Sequence, residues 1–332
     1  MSAPAPAMHS AAAQAVAAHL GLQLGRPNLD VFATAVLELA TQDRNVLVVT
    51  SDSRGSGRLG PFGQALPRQI VEVGIAEQNL VGIAAGLASC GKTVFAVSPA
   101  CFLTARSFEQ IKNDVAYSDH PVVLVGISAG VSYGALGTTH HSLHDFAALR
   151  AVNNVRIIVP ADNAEAIAAV RYAAKIGSPT YLRFGKAPLY DLPGEVGEIT
   201  SARVLRDGDD AAFLATGETV IHALLAAEHL AQTEGRHCRV VSIPTLKPLD
   251  ERAVLAAARE CHAVVTVEEH MVHGGLGEAV GALIARNGIA TRFAIRGVPD
   301  EYTITGSQAD IFRHYGLTME GLAEQALHLL AS

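Results

Sequence analysis

The sequence predicts an α/β protein made of two successive doubly wound domains, each on a mostly parallel sheet. Three observations carry this. Short, near-continuous apolar runs alternate with longer helical ones, as expected for strands covered on both faces by crossover helices. The alternation is interrupted by the polar stretch "KAPLYDLPGEVGEITSARVLRDGDD" (186–210) and then resumes. A length of 332 residues, at roughly 150 per domain, gives about two domains.

The first 25 residues, "MSAPAPAMHSAAAQAVAAHLGLQLG", are alanine-rich and lack a basic leader region; the nearest arginine, Arg26, lies just beyond them. This argues against signal and transit peptides, so residues 1–27 are expected to form an arm or packing helix of a cytoplasmic protein. Strands are expected at 45–50, 93–98, 121–127, 155–159 and 180–184, with helices near 30–42, 77–89, 104–117 and 162–175. The last helix starts "PADNAEAIAAV", where Asp162 can cap and Glu165 can close a capping box. Residues 121–139 carry no charge, but Gly126, Gly130, Gly134, Gly137 and several hydroxyls favour a buried strand and glycine-rich loop over a membrane helix. A boundary at 192–203 separates a domain at 28–192 from one at 203–332, whose strands are expected at 211–216, 238–243, 263–267 and 291–295.

Composition narrows the function. The net charge of −7, without a basic stripe, argues against nucleic acid. Cys90, Cys101, Cys238 and Cys261 are too far apart for a zinc motif and read as buried free thiols in a reducing compartment. There is no P-loop, nucleophile elbow or HExxH motif, and "HGGLGEAV" (273–280) departs from GxGxxG.

Ligands of such sheets bind beyond the carboxyl ends of the strands. That directs attention to Ser51–Gly57, Ser98–Phe102, Ser128–His144 and Arg183–Lys186. Glu77, in "VEVGIAEQNLVGIAAGLASCG", is an acid at the turn from a strand-like run into a helix; it serves either a proton-holding site or the helix dipole. His140, His141 and His144 follow a glycine-rich loop, where imidazoles can donate, accept or relay a proton, or simply cap.

Several ordered segments resemble the transketolase family of thiamine-diphosphate enzymes. "VEVGIAEQNLVGIAAGLASCGKTVFAVSPACFL", "GALGTTHHSLHDFAALRAVNNVRIIVPADNAEA" and "SPTYLRFGK" resemble its pyrimidine-binding domain; "VVSIPTLKPLD", "VVTVEEHMVHGGLGEAV" and "YGLTMEGLAEQAL" resemble its C-terminal domain. The likeness runs over roughly residues 28–330. The family's GDG motif for diphosphate and metal does not occur, and the chain is about half the usual length. The resemblance therefore implies the C-terminal, or β, subunit of a split transketolase. A separate N-terminal subunit would bring the diphosphate and Mg²⁺ or Ca²⁺ site, in an α₂β₂ assembly.

The same resemblance assigns roles. Glu77 would hydrogen-bond N1′ of the cofactor's aminopyrimidine, favouring the tautomer that activates thiazolium C2. Phe102 would stack on that ring, with Ile75 and Phe108 lining the pocket. His140 would contact substrate, with His141 beside it, and Arg183 would hold a substrate phosphate, its alternative being an ion pair at a strand end. Asp52 and Ser56 fall where relatives approach cofactor or substrate. No metal ligand is expected in this chain. The implied reaction is transfer of a ketol unit from a ketose to an aldose. The alternatives are a 1-deoxyxylulose-5-phosphate synthase-like chain, a 2-oxoacid dehydrogenase β subunit and a non-catalytic subunit. Three departures bear on the substrate: Leu136 where relatives have an aspartate, Leu29 or Asp30 near a usual arginine, and Ser128 where the synthases have another.

Overall fold

Every residue of strands Val122–Ile127 and Thr180–Arg183 is buried. Such runs, covered on both faces, make the middle of a parallel sheet. The computed structural model describes residues 8–331. Its largest sheet has seven strands in the order Thr245–Lys247, Arg156–Ile158, Thr180–Arg183, Val122–Ile127, Thr93–Pro99, Val46–Thr50, Ile70–Glu72. All pairings in it are parallel except that of Thr245–Lys247 with Arg156–Ile158. A five-stranded sheet follows, ordered Arg292–Val298, Ala263–Met271, Ala212–Ala215, Arg239–Ser242, Arg203–Arg206, parallel except at the Arg203–Arg206 edge. A short antiparallel pair joins Leu24–Pro27 to Pro188–Tyr190. The α/β class and the mostly parallel sheets are those the sequence predicts.

Several details differ from the expectation. The helix expected at 104–117 is broken into Ala100–Arg106, Phe108–Gln110 and the π-helical Ile111–Tyr117. At the break, the Ser107 hydroxyl donates to the Leu103 carbonyl at 2.5 Å, a local bond that competes with the helix ladder. Asp162 caps helix Asn163–Lys175 as expected, but Glu165 accepts from the Ala161 N–H rather than from the cap's own. Cys101, Cys238 and Cys261 are buried free thiols, whereas Cys90 is exposed, because it ends helix Glu77–Ser89 at a surface turn. Strand Thr245–Lys247 belongs to the second half of the chain but closes the first sheet. Of the N-terminal arm, residues 1–7 lie outside the described residues; Ala11–His19 is a helix that buries Ala13, Val16 and Ala17 and packs on helix Thr219–Glu234.

The two large sheets meet through an ionic core. Arg183, at the end of its strand, donates from Nε to Asp145 Oδ2 at 2.9 Å and from Nη2 to the Glu269 carbonyl at 2.8 Å. Its Nη1 faces Glu269 Oε2 at 3.5 Å, and its guanidinium lies 4.7 Å over the Phe146 ring. Tyr181 adds a hydroxyl to Asp145 Oδ2 at 2.8 Å. The Gln308 amide donates to Glu269 Oε1 at 2.9 Å and to Glu218 Oε2 at 2.7 Å. Two glycines permit this approach. A Cβ on Gly130 would stand 2.1 Å from the Glu269 carboxylate, and one on Gly185 would stand 1.7 Å from Glu218 Oε1.

Burial followed by the charges of Arg183 and His270 sets Asp145: burial opposes ionisation, the cations outweigh it, and the pKa is lowered. Glu218 has no such cation in contact. Burial, and then the Glu269 charge, push it up to about 8 from 4.5. The folded protein thus keeps a proton that the unfolded chain releases. That stabilisation is complete below about pH 4.5 and is lost as pH rises toward 8. Glu218→Gln keeps the shape and removes the titration. Between about pH 6.5 and 8.5 the thermal midpoint of the wild type should fall more steeply than that of Glu218→Gln, with a difference on the order of 2 °C. Parallel curves in differential scanning calorimetry would show that Glu218 does not titrate there.

Candidate active site

Helix Ala100–Arg106 begins where strand Thr93–Pro99 ends. Phe102 and Arg106, four residues apart, share one face of it, and the Arg106 guanidinium carbon sits 4.2 Å from the Phe102 ring centroid. From the edge strand Ile70–Glu72, separated from Thr93–Pro99 by Val46–Thr50, the chain turns through Gly74, at φ 73°, into helix Glu77–Ser89. Its first residue, Glu77, is only 4% exposed. Arg106 Nη1 donates to both Glu77 oxygens, at 3.0 and 3.2 Å. The carboxylate is therefore turned to the arginine rather than to the N–H groups of its own helix.

A line of rings continues from there. The His140 ring lies 5.3 Å from that of Phe102, edge-on at 72°, and 5.4 Å from that of Tyr133. Lys186 Nζ stands 3.8 Å over Tyr133. Beyond it, Lys186, Arg58, Ser56, Pro27 and Leu29 line a cavity of about 220 Å³. Burial, and then the charge of Arg58, lower the pKa of Lys186. Asp30 holds Arg58 at 2.9 Å, so the place near a usual family arginine carries an acid that recruits an arginine from the next loop.

Glu77, Phe102 and His140 are thus brought together as the sequence suggests. Ile75 stands beside them, 75% exposed. Phe108 is half-buried and packs against the main core. Asp52 is exposed at φ 55°, its N–H donating to Glu72 Oε1 at 2.6 Å, and the Ser56 hydroxyl donates to the Ser53 carbonyl at 3.2 Å. Leu136 is 55% exposed, and Ser128 is buried at φ 52°.

Two expectations are corrected. His141 is not free for a substrate: buried, it donates from Nε2 to the Gly134 carbonyl at 2.9 Å and accepts at Nδ1 from the Thr303 hydroxyl at 2.7 Å. It is a strut between the glycine loop and the segment after strand Arg292–Val298, and burial lowers its pKa. Arg183 does not reach a substrate either. It is 5% exposed with Nε, Nη1 and Nη2 each engaged inside the protein, which is the ion-pair alternative. The loop "HGGLGEAV" is likewise closed, since Glu268 accepts from the N–H groups of Leu276 and Gly277 at 2.7 and 2.8 Å. Sequence reasoning missed Arg106 and Arg58, and flagged Tyr133 and Lys186 only within the stretches 128–144 and 183–186, without a role. The helical spacing of Arg106 from Phe102 was a usable signal; the convergence of Arg58 with Lys186 depends on the fold.

Residues 27–190 match the family described as "Transketolase, pyrimidine binding domain" and residues 200–322 the family described as "Transketolase, C-terminal domain". The chain is similar to one subunit of the apulose-4-phosphate transketolase of Phocaeicola vulgatus, 44% identical over 90% of this chain and 96% of that one. It is also similar to the 6-deoxy-6-sulfo-D-fructose transketolase subunit SqwH of Clostridium sp. (strain MSTE9), 34% identical over 90% of this chain and 92% of that one. A solved "Split gene transketolase, inactive beta4 tetramer" superposes with a TM-score of 0.84 at 33% identity, over 92% of this chain and 99% of that one.

The corrected role of Arg183 has a measurable outcome. Arg183→Ala leaves Asp145 and Glu269 buried without their cation and should cost about 3–5 kcal/mol of stability in denaturant titration. A loss under about 1 kcal/mol would mean the network tolerates an empty centre.

Proposed function

Because this chain belongs to the transketolase family, we propose that it is the C-terminal subunit of a two-chain transketolase that moves a ketol unit from a ketose to an aldose. The observation that carries the reading is the buried acid Glu77, linked to the face of Phe102 through the Arg106 guanidinium, beyond the carboxyl ends of two strands of the same parallel sheet. An aromatic face next to a carboxylate is a cradle for a flat ring that can hydrogen-bond. That a planar guanidinium already rests there supports the fit of the cofactor's aminopyrimidine. Thiamine diphosphate, when bound, supplies the nucleophilic carbon that adds to the ketose carbonyl.

The roles of this chain's residues follow. Glu77 holds a proton at the pyrimidine N1′, shielded from water, and Phe102 fixes the ring plane. Ile75, two residues before Glu77, and Leu136, in the loop that carries His140, are exposed apolar groups; a docked partner would cover them and exclude water. Asp52 lies in the loop facing the same side. His140, reached through Phe102 and Tyr133, exchanges hydrogen bonds with substrate oxygens. Lys186 and Arg58, which line one cavity with Ser56, hold an anionic group at the far end of the sugar. This takes over the task the resemblance gave to Arg183. The named substrates of two relatives, a sugar phosphate and a sulfo sugar, are consistent with such an anion.

The partner is part of the proposal. A separate N-terminal subunit carries the diphosphate and the Mg²⁺ or Ca²⁺ site, and two copies of each chain form an α₂β₂ enzyme. Relatives that are themselves separate subunits, matched over nearly their whole length, support this, as does the relative described as an inactive β₄ tetramer. Among the described residues, no group of three or more His, Cys, Asp or Glu is placed to hold a metal ion, and no helix is long and apolar enough to cross a membrane. A cytoplasmic location belongs to the same proposal.

The chain alone should give no ketol transfer in a coupled assay, and adding the N-terminal subunit should restore it. In the complex, Glu77→Gln should lower kcat by about 10²-fold or more while assembly is unchanged. Transfer by the isolated chain, or a Glu77→Gln complex at full rate, would refute the reading. Lys186→Ala should raise KM for a phosphorylated ketose by about 10- to 100-fold, far more than it lowers kcat. An unchanged KM would remove the anion site from the proposal.

A further inference from the structure

We propose that Arg106 is a stand-in for the pyrimidine ring, holding the cofactor cradle in shape until thiamine diphosphate displaces it. This rests on the reading of Glu77 and Phe102 given above. The guanidinium is flat, delocalised and rich in donors. It lies 4.2 Å over the Phe102 centroid and donates to both oxygens of Glu77 at 3.0 and 3.2 Å. One group thereby makes the two contacts that a stacked, hydrogen-bonded heterocycle would make. The two compete: while Arg106 is in place, its guanidinium covers the Phe102 face and its Nη1 bridges both carboxylate oxygens, where a stacked ring would have to sit.

The geometry also allows exchange. Glu77 is buried at 4%, but the Arg106 side chain is 50% exposed, so the arginine reaches the acid from the solvent side. Glu77 is its only ion-pair partner among the described residues, and the head group can therefore leave without breaking another pair. Its backbone belongs to helix Ala100–Arg106, where Phe102 sits one turn earlier, so the swing needs only side-chain rotation. A buried carboxylate stripped of its cation is costly. The bridge keeps Glu77 satisfied in the unloaded subunit, and the incoming ring must replace what it removes. Arg106 is thus a positioning residue whose occupancy sets the apparent cofactor affinity.

The test uses the full chain reconstituted with its N-terminal subunit and titrated with thiamine diphosphate and Mg²⁺ by calorimetry. Removing the competitor in Arg106→Ala should lower the Kd for the cofactor by about tenfold. It should also lower the thermal midpoint of the unloaded complex while leaving that of the saturated complex at the wild-type value. Arg106→Lys keeps the charge but loses the plane and should fall between the two. Equal destabilisation of both forms with an unchanged Kd would make the pair merely structural and overturn the proposal. A raised Kd would overturn it too, by making Arg106 a cofactor ligand. Should Arg106→Ala fail to assemble, Arg106→Lys decides alone: its Kd falls below wild type or the proposal fails. A wild-type complex that takes up no thiamine diphosphate defeats the functional reading itself, whereas normal wild-type uptake with either overturning result defeats only this proposal.

Discussion

Arg183 stands at the carboxyl end of a central strand of the first sheet, and its partner Glu269 lies on a central strand of the second. Between them they fix how the two sheets face each other. The bond set is directional: Nε to Asp145, Nη2 to the Glu269 carbonyl, the plane over Phe146. A greasy contact of the same area would tolerate sliding; a buried fork of donors tolerates little. Glu269 also accepts from the Val131 N–H at 2.9 Å. The same carboxylate therefore anchors the glycine loop that ends in His140.

The site inherits its geometry from that anchor. Loop 128–144 is pinned near one end by Glu269 at Val131 and near the other by His141 against Thr303. With the loop fixed, His140 meets Phe102 edge to face and Tyr133 lies under Lys186. The first sheet contributes Phe102 and Glu77 from the ends of two nearby strands. Recognition groups from separate stretches of chain thus line up through ring–ring and cation–ring contacts, with the Glu77 carboxylate held by Arg106.

Much of this was legible beforehand. The helix beginning at Glu77 and the strands of the first half appear within a residue or two, because strong apolar periodicity and an acid at a helix start are local signals. Phe102 and His140 were legible through family likeness. What failed was non-local. "YLRFGK" offers two cations three residues apart, and nothing in that segment says which one faces inward. Burial decides it, and burial is set by Asp145 and Glu269, distant in sequence. His141 failed for the same reason, since its partners come from Gly134 and from Thr303 in the other half. Strand Thr245–Lys247 is three residues long and its lysine hides the pattern. The charged run "EEHM" was not read as strand, yet all of Ala263–Met271 is one, its acids satisfied by a helix start and by Arg183.

That short strand has a consequence for how the molecule can be divided. A cut in the polar connector near residue 195 looks harmless in the sequence, but it would strip the first sheet of its seventh member and bare the rim of Arg156–Ile158. Unpaired rims recruit foreign chains. The amino-terminal half made as a separate fragment would therefore be prone to clump, and its carboxy-terminal counterpart would carry a homeless ribbon. The two halves are clasped by backbone as well as by charge, so fission of the gene along that connector would cost far more than its hydrophilic character suggests.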